Sequence, residues 1–109
     1  MGPGRKTVNR LLEPKRTQIE ELCRQHRVHR LDLFGSAVQG GFDPARSDLD
    51  FLVEFDPMPP GEYAEAFFGL RERLESLFGR PIDLVTASSL RNPYFKASID
   101  RAREQLYAA

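Results

Sequence analysis

The fold of this chain is decided by the stretch Leu33-Phe34-Gly35-Ser36 and, after ten further residues, Ser47-Asp48-Leu49-Asp50-Phe51-Leu52-Val53-Glu54. Successive side chains of a strand point to opposite faces, so Asp48 and Asp50 share one face, with Cα atoms about 6.5–7 Å apart. The other face carries the apolar side chains Leu49, Phe51, Val53 and Phe55. The pattern predicts an interior strand over residues 47–55, with its apolar face on the core and two carboxylates at its polar end.

Two acidic side chains on one face of a core strand are costly to bury unless a positive group lies between them. A divalent cation would supply that charge; the alternative is an edge strand with one face in water, where the carboxylates cost little. Asp83 favours the cation, because it interrupts an otherwise apolar third strand and can join Asp48 and Asp50 if the two strands are neighbours. Alone, Asp83 could equally be a strand-end acid that reaches solvent. The three carboxylates together predict a Mg2+ site, since Mg2+ binds carboxylate oxygens and substrate phosphates.

Gly35-Ser36 marks the end of the strand that precedes this acidic strand. Glycine permits a backbone geometry that a Cβ forbids, and the N–H groups that follow it point outward if a helix starts there. With the Ser36 hydroxyl, they could hold the terminal phosphates of a nucleotide. The alternative is an ordinary turn and helix cap.

The hydrophobic periodicity predicts the remaining elements around this stretch. They are a helix from about Pro14 to His26 or Arg27, a strand at 28–34, a helical turn after Ser36, a helix at 62–78, a strand at 81–86 and a helix after Asn92. The proline-rich segment 56–61 is predicted to be a break that excludes helix, and Gly79 a left-handed helix cap. The last helix is predicted to bury Phe95, Ile99, Ala102 and Leu106.

The order α-β-α-β-α-β-α predicts a single-domain α/β (α+β) fold in which helices cover a small mixed sheet. Residues 1–13 are predicted to form a flexible N-terminal segment, and 14–109 the domain. With 16 basic and 16 acidic residues and a pI near 6.7, the chain has no global attraction for nucleic acid or anionic membranes. It has no apolar run of the roughly 20 residues that a membrane span needs. A single cysteine, Cys23, excludes an internal disulfide and predicts a reducing compartment, the cytoplasm, with the thiol buried and inert.

These motifs resemble those of the DNA polymerase β-type nucleotidyltransferase superfamily: Gly35-Ser36, eleven residues, Asp48-Leu49-Asp50, and a later Ile82-Asp83-Leu84-Val85 strand. The small size and the closing Leu106-Tyr107 are similar to the minimal nucleotidyltransferase (MNT) proteins, which are encoded as antitoxins beside HEPN-domain toxins in prokaryotes. The resemblance extends from about Ile19 to Tyr107. Many members have ten residues where this chain has eleven, and the glycine-rich surface loop at Gly40-Gly41 can hold the extra one.

The resemblance implies a function and a role for each motif residue. Gly35 and Ser36 would grip the β and γ phosphates of ATP, and Asp48 and Asp50 would coordinate two Mg2+ ions. Asp83 would ligate the second metal and help to remove the proton of the acceptor, which makes Asp48, Asp50 and Asp83 the implied catalytic residues. The reaction implied is transfer of AMP to a hydroxyl, usually of a tyrosine, on a HEPN ribonuclease toxin. The chain would then be the antitoxin of a type VII-like toxin–antitoxin pair, in a hetero-oligomer with its toxin.

Two other functions remain open from the sequence. The first is a non-catalytic antitoxin that masks its toxin by binding, against which the intact Asp48, Asp50 and Asp83 argue. The second is a small-molecule nucleotidyltransferase, which the lack of residues for an acceptor-binding domain disfavours.

Overall fold

The computed structural model describes residues 12–35, 49–86 and 103–109. A 3-10 turn at Glu13–Lys15 leads into helix α1 at Arg16–Gln25, and helix α2 spans Pro60–Phe78. The strands are β1 at Val28–Phe34, β2 at Leu49–Phe55, β3 at Ile82–Thr86 and β4 at Arg103–Ala108. The helical turn predicted after Ser36 and residues 92–102 of the predicted last helix lie outside the described residues.

The four strands form one mixed sheet in the order β3-β2-β1-β4. Strand β1 pairs antiparallel with both β2 and β4, whereas β2 and β3 are parallel. Parallel neighbours need a crossover connection, and α2 is the helix of that crossover. The predicted α/β fold with a small mixed sheet is confirmed, and β2 is an interior strand as predicted.

The main core lies between one face of the sheet and the two helices. Leu49, Phe51 and Val53 of β2 are fully buried there, with α1 and α2 packed against them. The apolar stripe predicted for β2 is therefore confirmed. On the other face, Phe34 and Leu52 are also buried and pack with Val85, so the face that carries Asp50 has a small apolar cluster of its own.

Helix α1 confirms two details predicted for the first helix. Its C-cap is His26, whose imidazole Nδ1 lies 2.9 Å from the Leu22 carbonyl oxygen. Cys23 is fully buried on the inner face of this helix, and burial raises the pKa of its thiol to about 12. A thiol that keeps its proton is a weak nucleophile, so this cysteine is inert.

Helix α2 begins at Pro60, inside the segment predicted to exclude helix, so that prediction was wrong at its C-terminal end. The first position of a helix tolerates proline, because its N–H would have no intrahelical partner and its φ is already helical. The helix ends as predicted at Gly79, which adopts φ 63° and donates its N–H to the Glu75 carbonyl oxygen at 2.8 Å. No helix within 12–35, 49–86 and 103–109 is both long enough and apolar enough to cross a membrane.

The predicted order ended in a helix that included Leu106, and this end of the prediction was wrong. Residues 103–108 are strand β4, which pairs with the free side of β1 and buries Leu106 in the core. Five of these six residues are good helix formers, but pairing with β1 satisfies the backbone groups of the segment and buries Leu106, so tertiary context overrides the local preference.

Candidate active site

Asp50 and Asp83 lie directly beside each other on adjacent strands. They are register partners in the parallel β2–β3 pair, where neighbouring strands are about 4.8 Å apart. Register partners project on the same side of a sheet, and here it is the side opposite the main core, because Leu49 and Phe51 point inward. Asp50 is half-buried and Asp83 is exposed. The condition set by the sequence, that the third strand lie beside the second, is therefore met.

Gly35 lies against Asp50 at the end of β1. Phe34, the residue before it, is the register partner of Asp50 on the antiparallel side of β2. The φ of Gly35 is 76°, and a Cβ placed on it would overlap Oδ2 of Asp50 and lie 3.1 Å from its Cγ. Glycine is therefore required here for two reasons, a left-handed backbone and the close approach of a carboxylate.

Asp48 and Ser36, the other two predicted site residues, lie outside the described residues. Within the parts of the chain that the structure describes, no three His, Cys, Asp or Glu side chains are grouped closely enough to hold a metal ion. Asp50 and Asp83 supply two carboxylates side by side at an accessible strand position. Hard oxygen donors of this kind suit Mg2+, which usually takes one or two protein carboxylates and completes its shell with water and phosphate.

A third carboxylate on the same face was not singled out from the sequence. Asp32 of β1 is only 1% exposed, and its Oδ2 lies 3.0 Å from Nε of Arg30 and 3.5 Å from Nε of Arg103. One signal was available: in a strand, Arg30 and Asp32 are two residues apart and share a face. The contribution of Arg103 could not be inferred, because residues 103–108 were predicted to be helical.

Residues 15–105 match the family model described as the nucleotidyltransferase domain. The chain belongs to the nucleotidyltransferase-domain family. A candidate protein adenylyltransferase of Methanocaldococcus jannaschii is 36% identical to this nucleotidyltransferase over 95 residues, which cover 87% of this chain and 93% of the relative. The protein adenylyltransferase MntA of Thermococcus cleftensis is 36% identical over 88 residues, which cover 81% of this chain and 82% of the relative. The prediction of a nucleotidyltransferase is confirmed.

Solved structures share the fold of this nucleotidyltransferase. A candidate minimal nucleotidyltransferase superposes with a TM-score of 0.69 at 30% identity, covering 85% of this chain and 90% of the other. A toxin–antitoxin structure with AMP-PNP superposes with a TM-score of 0.63 at 24% identity, covering 86% and 73%. A complex of a tri-AMPylated Shewanella oneidensis HEPN toxin with MNT antitoxin superposes with a TM-score of 0.60 at 22% identity. The superposition covers 89% of this chain and 72% of the other. The predicted minimal nucleotidyltransferase architecture is confirmed.

Proposed function

We propose that this nucleotidyltransferase transfers AMP from ATP to a tyrosine hydroxyl of a cognate HEPN-domain toxin and thereby silences it. The observation that carries the proposal is the register pairing of Asp50 with Asp83, next to the backbone of Gly35. Paired carboxylates suit a metal-bound triphosphate, because Mg2+ is usually held by one or two carboxylates together with substrate phosphates. The names of the relatives, protein adenylyltransferases and an MNT antitoxin bound to an AMPylated HEPN toxin, support the choice of transferred group and acceptor.

In this proposal, Asp50 and Asp83 would hold Mg2+, together with Asp48. When bound, Mg2+ would neutralise charge on the triphosphate and on the oxygens that attack and leave. Gly35 and Ser36 hold the β and γ phosphates through backbone N–H groups and a hydroxyl. The exposed carboxylate of Asp83 is the group that accepts the proton of the acceptor hydroxyl.

The chemistry is a single displacement at phosphorus. The acceptor oxygen forms a bond to the α-phosphorus of ATP, the bond from that phosphorus to the bridging oxygen breaks, and pyrophosphate leaves. The tyrosine proton passes to Asp83 and then to solvent. No oxidant or reductant is needed, and the products are the AMP ester of the partner and pyrophosphate.

A protein acceptor is preferred to a small molecule because relatives that align with more than four fifths of this chain are named protein adenylyltransferases. A structural neighbour is an MNT antitoxin in complex with a tri-AMPylated HEPN toxin, which is a protein acceptor of the same kind.

The experiment is to incubate the purified chain with ATP, Mg2+ and the HEPN-domain protein encoded beside it, and to measure the intact mass of the partner. The expected result is a gain of one or more AMP residues, mapped to tyrosine by peptide mass spectrometry. Omitting Mg2+, or adding EDTA, should abolish the gain. A partner that is bound and inhibited with unchanged mass would instead establish masking without catalysis.

The decisive variant is Asp50→Asn, with Glu54→Gln as its matched control. Both residues lie on β2 and both substitutions remove one negative charge, but Glu54 is exposed and lies four residues from the paired carboxylates. Asp50→Asn should reduce the rate of AMP transfer by about 10²-fold or more, which is the typical effect of removing a group that acts on the transition state. Glu54→Gln should transfer AMP at the wild-type rate.

A further inference from the structure

Asp32 is the only charged residue that is fully buried within the described parts of the chain, and the nucleotidyltransferase chemistry does not use it directly. Its carboxylate is 1% exposed and makes ion pairs with Arg30 and Arg103, which are 37% and 31% exposed. A buried carboxylate of this kind adds little net stability compared with an apolar residue, because its desolvation offsets its ion pairs. Stability is therefore a weak reason for an acid at this position.

The position of Arg103 indicates what the cluster does. Arg103 is the register partner of Phe34, Phe34 is the partner of Asp50, and Asp50 is the partner of Asp83. One row across the sheet thus carries the two carboxylates at one end and the arginine at the other. With strands about 4.8 Å apart, the Cα atoms of Asp50 and Arg103 are separated by about 10 Å.

We infer that Asp32 is a positioning residue for nucleotide binding: it holds the Arg103 guanidinium on the catalytic face, where it attracts the triphosphate of ATP. Asp32 lies two residues before Phe34 on the same face of β1. Its carboxylate therefore meets the Arg103 side chain on the side of the row that faces away from Gly35. Nε of Arg30 lies 3.0 Å from Oδ2, the oxygen that Arg103 also approaches, and donates to Oδ1 at 3.1 Å, so Arg30 keeps the carboxylate in place. A pocket of about 60 Å³ is bounded by these three side chains with Leu52 and Glu54.

The inference deepens the proposed function, because it takes the nucleotide site beside Asp50 and Asp83 as given. For a guanidinium-to-phosphate distance equal to the Cα separation of Asp50 and Arg103, about 10 Å, Coulomb's law gives the size of the effect: one unit charge at an effective dielectric constant of 20–80 changes affinity by about 2- to 15-fold. Salt screens this attraction, so measurements belong at low ionic strength.

The test is the affinity of the purified chain for an ATP analogue that cannot be cleaved, measured by calorimetry with Mg2+ present. Asp32→Asn adds one net positive charge to the catalytic face, so simple electrostatics predicts tighter binding. A positioning role predicts the opposite sign, since Arg103 loses its anchor. We expect Asp32→Asn to bind the analogue about 3-fold more weakly, which requires the loss of Arg103 positioning to exceed the attraction gained by removing the Asp32 charge.

Glu54→Gln is the matched control, because Glu54 bounds the same pocket and loses the same charge. Its affinity should be equal to that of the wild type or slightly tighter. Arg103→Gln should weaken binding as Asp32→Asn does, and Arg103→Lys should restore part of the loss. The double variant Asp32→Asn/Arg103→Gln should bind no more weakly than Arg103→Gln alone, since the effects of substitutions at two coupled residues do not add.

A thermal midpoint measured for each variant separates this role from a structural one. A role in stability alone would lower the midpoint of Asp32→Asn and leave the affinity of the folded protein unchanged. Equal or tighter binding by Asp32→Asn overturns the inference and leaves the proposed nucleotide site standing. Failure of the wild-type chain to bind the analogue overturns both. If Asp32→Asn does not fold, unchanged binding by Arg103→Gln is the result that refutes the inference.

Discussion

Replacing Gly35 with alanine tests the geometry on which the candidate active site depends. At φ 76° a residue with a Cβ costs about 1–2 kcal/mol of backbone strain. The new Cβ would also overlap Oδ2 of Asp50. Because that atom is the end of a side chain, the carboxylate can turn away, at a further cost of about 0.5–1.5 kcal/mol for an unfavourable rotamer. Turning away takes it out of its place beside Asp83.

Gly79→Ala provides the matched control, because Gly79 has a similar φ of 63° and nothing lies within 4 Å of a Cβ built there. Both variants should lose about 1–2 kcal/mol in the free energy of unfolding from strain, with Gly35→Ala losing up to about 1.5 kcal/mol more. Their rates of AMP transfer should differ far more than their stabilities do. A catalytic group misplaced by about 1 Å can cost about 10²-fold in rate.

The assay is urea unfolding of both variants, followed by AMP transfer to the partner at equal concentrations of folded protein. We expect Gly35→Ala to transfer AMP about 10²-fold more slowly than Gly79→Ala. If the two variants transfer AMP at the same rate, the close approach of Gly35 to Asp50 has no catalytic meaning, and the reasoning is refuted.

Four further predictions concern the core, the surface and the cysteine. Phe51→Ala should destabilise the fold by about 3–5 kcal/mol in urea unfolding, because Phe51 is fully buried. Phe68→Ser should change stability by less than about 0.5 kcal/mol, since Phe68 is 57% exposed. Cys23 should resist iodoacetamide at pH 8 in the folded protein and react once guanidinium unfolds it, as read by intact mass; rapid labelling of the folded chain would contradict its burial. Because the pKa of this thiol rises from 9.0 to about 12 on folding, the free energy of unfolding should fall as pH increases from 9 towards 12, and Cys23→Ala should remove that fall.

Much of the fold follows from the alternation of side chains along the chain. The faces of β2 could be predicted because Leu49, Phe51 and Val53 recur at every second position, while the opposite face begins with Asp50 and ends with Glu54. The end of α2 could be predicted because Gly79 follows a long amphipathic run, and glycine is the residue that tolerates a left-handed cap. These are local rules that act over a few residues.

The candidate site could be predicted only in part. The identity of Asp50 and Asp83 as unusual acids in apolar strands is visible in the sequence. Their pairing is not visible in the sequence, because it depends on β3 lying parallel to β2 in one particular register. A shift of that register by one residue would place Asp83 on the opposite face of the sheet. The approach of Gly35 to Asp50 likewise depends on the antiparallel pairing of β1 with β2.

The sequence alone determined the strand faces, the helix cap, the pair of unusual acids and the resemblance to nucleotidyltransferases, because each depends on residue type and short-range spacing. The strand at residues 103–108 and the ion pair of Arg103 with the buried Asp32 arise only when the chain is folded. Both depend on β1 having an open side for pairing. This segment prefers helix locally, yet it takes the conformation that pairs its backbone with β1 and buries Leu106, and that partner strand lies some seventy residues away in the chain.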